Sequence, residues 1–154
     1  ISFDQPFYEP DQQFVGKELV GEDGKRLRAR AMYGLGHVWA VRRNLDSSLA
    51  YFKAAVDEFP TYGDAWADMG VALMNTHRNA EAERVLQHAV FLEPQNHMYW
   101  FNYATLLGTQ GRLDDARIAF NRVLSIRPDF EPAHRNIALI EKLSQKQKPS
   151  TASP

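Results

Sequence analysis

The chain has 154 residues, 44% of them hydrophobic and 24% charged, with a formal net charge of −1 and no cysteine. That is enough chain for one domain with a real core, and it excludes disulfides, thiolate metal sites and a cysteine nucleophile. The near-neutral charge gives no global field to recruit nucleic acid, and no apolar run approaches the roughly 20 residues of a membrane span.

The first residue is Ile1 rather than Met, so the chain is expected to be a processed form or a piece of something longer, with its compartment open. Residues 1–28 carry Phe3, Phe7, Tyr8 and Phe14 but stand outside the periodicity that follows. The register would ask for a small residue at 14 and a proline at 26, where Phe14 and Arg26 stand. Two readings stay open: an N-terminal cap packed on the next element, or an arm that docks on a partner or a second copy. Gly21-Glu22-Asp23-Gly24 reads as a turn leading into the first helix.

From residue 29 one step of 34 governs the chain. It links Pro60, Pro94 and Pro128; Met32, Trp66, Trp100 and His134; and Leu35, Met69, Tyr103 and Ile137. It also links Gly36, Gly70, Ala104 and Ala138, then Trp39, Leu73 and Leu107. In the second half of each unit it links Ser48, Ala82 and Ala116; Phe52, Leu86 and Phe120; and Ala55, Ala89 and Val123. The units are 29–62, 63–96 and 97–130.

Each unit reads as two helices. Trp66, Met69 and Leu73 fall on one face of the first, and Ala82, Leu86 and Ala89 on one face of the second. The small columns let two antiparallel helices approach closely, and the large columns fill the space between. Each proline ends a second helix, because the residue before it is driven from the α region. Within units the breakers are Arg43 to Asp46, His77 to Asn79 and Gly111 to Asp114; Asp46, Asn79 and Asp114 are placed to act as caps. Residues 131–145 read as a last capping helix, with Ala133, Ile137, Ala138 and Ile140 inward and Glu141 outward. Residues 146–154 read as a disordered tail.

The run Trp66, Met69-Gly70, Leu73, Ala82, Leu86, Ala89, Pro94 resembles a complete tetratricopeptide signature. The third unit is nearly as good, while the first departs with Met32 and Ser48. The resemblance covers about three-quarters of the chain. It implies an all-α, right-handed superhelical solenoid of three antiparallel helix-pair repeats plus a C-terminal capping helix. It further implies a module that binds a protein or peptide in a concave groove, with no catalysis and no cofactor. Residue by residue, the groove positions are Tyr33 and His37; Asp64, Asp68, Val71 and Asn75; Met98, Phe101, Asn102 and Thr105; and Arg135, Asn136 and Leu139. One subclass grips the terminal carboxylate of chaperones with lysines, arginine and asparagines. Here Tyr33 and His37 stand where a lysine and an asparagine are expected, and Asp68 where an asparagine is expected. The expected partner is therefore not an acidic tail but a basic or donor-rich segment.

Alternatives are a self-assembling homo-oligomer using residues 1–28 or the array ends, and a regulatory repeat domain of a larger protein or enzyme. The five histidines show no metal-site spacing, and no phosphate loop or nucleophile elbow occurs. His134 is expected to be a packing residue. The cluster Lys25 to Arg30, with Arg42-Arg43, is the one local feature suited to nucleic acid or lipid headgroups, and a solvated helix face is the simpler reading.

Overall fold

The computed structural model describes residues 21–147, and these form seven helices with no strand among them. They are α1 (Glu22–Val41), α2 (Leu45–Glu58), α3 (Gly63–Asn75), α4 (Asn79–Leu92), α5 (His97–Thr109), α6 (Leu113–Ile126) and α7 (Glu131–Gln147). Helices α1 and α2, α3 and α4, and α5 and α6 pack as pairs, and successive pairs stack into a solenoid closed by α7. The first helix begins at Glu22, so the expected turn at 21–24 is helical except at Gly21. The last helix runs to Gln147, beyond residue 145. The cap-or-arm segment lies outside the described residues up to Val20, and the tail expected at 146–154 lies outside them from residue 148.

The small columns do what their spacing requires. A Cβ on Gly70 would lie 2.5 Å from the Leu86 side chain, and one on Gly36 would run into the Phe52 ring. Phe52, Leu86 and Phe120 are thereby buried between paired helices. Tyr103 packs against three buried clusters, one around Phe52 and Leu86, one around Ala67 and Tyr99, one around Phe120 and Val123.

The 34-residue step also repeats in the backbone. Phe59, Glu93 and Arg127 end α2, α4 and α6 with φ of −136°, −133° and −134°, the conformation a following proline imposes. Arg43, His77 and Gly111 follow α1, α3 and α5 in the left-handed region, at φ 59°, 59° and 75°. After each, the next amide closes the helix end: Asn44 N to Trp39 O, Arg78 N to Leu73 O and Arg112 N to Leu107 O, at 2.9–3.0 Å. The caps differ from expectation. Asn44 caps α2 by accepting from Ser47 N at 3.0 Å, while Arg78 and Arg112 occupy the cap positions of α4 and α6 without a side-chain bond. Asp46, Asn79 and Asp114 lie at the first or second position inside their helices, where the two aspartates meet the helix dipole rather than bond an open amide.

The aromatic column carries a polar function besides packing. Trp66 Nε1 donates to Pro60 O at 2.8 Å and Trp100 Nε1 to Pro94 O at 3.0 Å, both from half-buried rings. His134 is exposed rather than packed inside, yet its Nε2 lies 2.8 Å from Pro128 O, which makes Nε2 the protonated nitrogen. Ala138 is also exposed, because no second helix follows α7 to cover it. At the other end, Leu35 and Val38 of α1 are 44% and 45% exposed, whereas their counterparts Met69 and Ala72 are covered by α2 to 9% and 5%.

The first two repeats each keep one local fault that the third corrects. Ser48 is fully buried with no partner for its hydroxyl among the described residues, where the other units have Ala82 and Ala116. His77 holds a left-handed conformation that glycine takes in the third unit. Ser48→Ala should raise stability by about 1 kcal/mol, and His77→Gly by about 0.5–1 kcal/mol, in urea melts of the full chain. A fall in either midpoint would contradict the packing or the turn geometry described.

Candidate peptide-binding face

The first helices of the pairs, α1, α3 and α5, are joined along one face by two tyrosine–carboxylate bonds. Tyr33 of α1 donates its hydroxyl to Asp68 Oδ2 of α3 at 2.7 Å, and His37 Nε2, one turn further along α1, lies 3.0 Å from the same oxygen. One turn earlier on α3, Asp64 Oδ1 accepts from the Tyr99 hydroxyl of α5 at 2.6 Å. Tyr99 also lies 3.4 Å from Glu93 Oε1, and Gly63 leaves room for the group: a Cβ there would sit 2.6 Å from that carboxylate oxygen and 2.9 Å from the phenol. Burial first, then the bond to the aspartate, pushes the Tyr33 and Tyr99 phenols far above their ordinary range, so both remain donors. Burial, then Asp64, also raises the Tyr62 phenol, whose ring lies 5.0 Å from that of Tyr33.

Asp64 and Asp68 therefore already hold internal donors. Tyr33 is half-buried, with its ring 5.8 Å from Phe52 and its hydroxyl committed, so it is part of the wall rather than an open anchor. Tyr99 and Glu93 were not among the expected groove residues. Asp64 to Tyr99 and Tyr33 to Asp68 are both 35 apart, but acid and phenol exchange order, so no 34-residue column aligns them.

The remaining expected residues divide by what they have left to offer. Thr105 donates its hydroxyl to Phe101 O at 2.8 Å, and Asn136 its amide to Pro132 O at 2.8 Å. Phe101 is half-buried, its ring 5.6 Å from Phe120 and 5.3 Å from Phe130, so only part of it faces outward. Val71 is half-buried; Asn75, Arg135 and Leu139 are exposed, and Met98 is 41% exposed. Among the described residues, the side-chain amides of Asn75 and Asn102 make no hydrogen bond, and Arg135 makes no ion pair.

The basic cluster is largely engaged. Arg28 pairs with Glu58 and Lys25 with Glu22, while Arg26 lies over the Phe59 ring and Arg42 over Trp39. Among the described residues, no group of three His, Cys, Asp or Glu is placed to hold a metal ion, and no helix is long and apolar enough to cross a membrane.

Comparison with known proteins places this geometry in a family. Models described as Tetratricopeptide repeat match residues 17–63, 42–100 and 99–130. The BBSome complex member BBS4 of Bos taurus is 32% identical over 87 residues, 56% of this chain and 17% of that protein. The Protein O-mannosyl-transferase TMTC3 of Homo sapiens is 29% identical over 139 residues, 80% of this chain and 15% of that protein. The chain thus spans 17% and 15% of the length of these curated relatives. Among solved structures, the first TPR of Spaghetti (RPAP3), bound to HSP90 peptide SRMEEVD, has a similar fold. Its TM-score is 0.75 at 17% identity, over 78% of this chain and 98% of that one. MamA is similar with a TM-score of 0.72 at 20% identity, over 76% of this chain and 68% of that one. The family matches together run from residue 17 to 130, through the 34-residue columns and the paired helices built on them, and the chain belongs to the tetratricopeptide repeat family.

Proposed function

We propose that the chain is a protein–protein interaction module that holds a segment of another protein against the face formed by α1, α3, α5 and α7. The observation that carries this is Asn102: a half-buried amide with no internal partner, flanked on α5 by Met98 and Phe101. An amide left open to solvent beside apolar groups can bond a ligand's backbone, and this supports a binding site there. The similarly folded repeat domain of Spaghetti is bound to a peptide, which supports the class of function.

The electrostatics favour a donor-rich segment. Asp64 and Asp68 put two carboxylates on α3, and Asp68 stands with Tyr33 and His37 at positions where a carboxylate-gripping site would need cations and amides. An acidic terminal tail would be repelled there.

The test is to select peptides from a random-sequence library and measure their affinity for wild type and for Met98→Ala/Asn102→Ala. These changes spare the packed ring of Phe101. Affinity should fall about tenfold or more, which is about 1.4 kcal/mol. Unchanged affinity would move the site to another face, and selected peptides ending in acidic residues would contradict the charge argument.

A second reading, self-assembly through the first helix, is favoured by the exposed Leu27, Leu35, Val38 and Val41 on α1. It requires a concentration-dependent dimer in sedimentation that Val38→Glu abolishes. A monomer at millimolar concentration would end it.

A further inference from the structure

The two junctions between successive pairs are closed differently on the face opposite the tyrosine–aspartate bonds. Between the second and third pairs, Arg112 donates to Glu83 of α4 at 2.6 Å, and Gln87 Nε2 of α4 donates to the Tyr103 hydroxyl of α5 at 3.0 Å. One unit earlier, Arg78, Leu49, Lys53 and Met69 stand in the places of Arg112, Glu83, Gln87 and Tyr103. The arginine is kept, but a leucine cannot accept its hydrogen bond and a methionine offers no hydroxyl. Arg78 keeps only the bond to Glu81, at 2.7 and 2.8 Å, which matches Arg112 to Asp115 at 2.9 Å, and Lys53 pairs with Asp57 on α2.

The junction between α2 and α4 is left as an open cleft of about 680 Å³, against about 400 Å³ where the same columns meet beside Arg112 and Tyr103. Its apolar floor is lined by the half-buried Trp66 of α3 and Val85 of α4, with the buried Leu49 and Val56 of α2 and Met69 and Leu73 of α3 beneath. The helices that wall it have 14 residues each, about 21 Å of length. Its rims differ in charge. Once Lys53 is paired with Asp57 and Arg78 with Glu81, Asp46 remains on the α2 rim and Arg84 on the α4 rim. Neither makes an ion pair among the described residues.

We propose that this cleft is a second docking site, which takes an amphipathic helix of a partner protein with a basic flank toward Asp46 and an acidic flank toward Arg84. A helix fits better than an extended segment because its own backbone is satisfied, whereas a strand would bring open amides onto a floor of apolar side chains. The partner's leucine-type residues, spaced by three and four, would cover the floor, and the opposed flanks follow from the opposed rims.

The probe is a labelled synthetic helical peptide of about five turns, with a leucine stripe, lysines along one flank and glutamates along the other. Twins carry lysine on both flanks or glutamate on both. Fluorescence anisotropy with the full chain should show saturable binding of the mixed-flank peptide, weaker for either twin. Leu49→Glu/Lys53→Gln/Met69→Tyr installs the residues of the closed junction and should weaken binding tenfold or more, while Asn102→Ala leaves it unchanged. Ala50→Arg, at an exposed lining position, gives the same expected loss without touching the core if the triple variant fails to fold. No binding, equal binding of all three peptides, or equal affinity of the folded variants would overturn the proposal. A dimer in sedimentation that the closing changes abolish would also overturn it, by giving the cleft to a second copy of the chain.

Discussion

Paired helices can sit as close as they do only because a residue with almost no side chain occupies their crossing. Gly36 lies under the Phe52 ring and Gly70 under Leu86, and in the third pair Ala104 does the same work beside Phe120. That close approach lets one large residue per pair fill the interface to interior density, so that Phe52, Leu86 and Phe120 are buried. It also fixes the rotation of each helix. With the Gly column turned toward the partner helix, Tyr33, Asp64 and Asp68 fall on one side of the stack, and the cleft beside Trp66 and Val85 opens on the other. Both candidate binding faces are therefore consequences of the same constraint.

Two further sets of polar bonds hold successive pairs in register. Trp66, Trp100 and His134 tie the first turn of α3, α5 and α7 to the carbonyl of the proline six residues earlier. The phenols of Tyr33 and Tyr99 clasp the two acids of α3 from either side. Such charge-assisted bonds are shorter and stronger than neutral ones, and they use groups that would otherwise face a ligand alone. The face of α1, α3 and α5 thus commits several polar groups to rigidity, and what remains open is concentrated near Asn75, Met98, Asn102 and Arg135.

The helix pairs were legible because each column is set by volume or by proline, properties a residue carries wherever it stands. Pro60, Pro94 and Pro128 marked the helix ends, and the Gly and Phe columns marked which faces meet. The helix starts were less legible: Asp46, Asn79 and Asp114 look like caps, yet the turn before each helix is closed by the backbone after a left-handed residue. Arginine and histidine at 43 and 77 carry no turn signal, and only Gly111 in that column hints at it. The residues that the family resemblance assigned to the groove lie on α1, α3, α5 and α7, but their partners were hidden. Tyr99 meets Asp64 across a 35-residue step in the reverse order from Tyr33 and Asp68, so alignment of units does not pair them. The wider cleft was less visible still, since it arises from what Leu49 and Met69 fail to do where Glu83 and Tyr103 bridge the next junction.

The claim on which the rest stands is the close helix approach at the glycine column. The direct test is the same substitution at two glycines, read by thermal and urea denaturation of the full chain. Gly34 is exposed with nothing within 4 Å of an added Cβ, whereas Gly70 meets Leu86. Gly34→Val should leave stability unchanged within about 0.5 kcal/mol, since valine is no worse than glycine in a helix. Gly70→Val should cost about 3 kcal/mol or more through overpacking of a fully buried neighbour. Equal, small effects at both positions would mean that the pairs are not held at this distance, and the placement of both faces would fall with it.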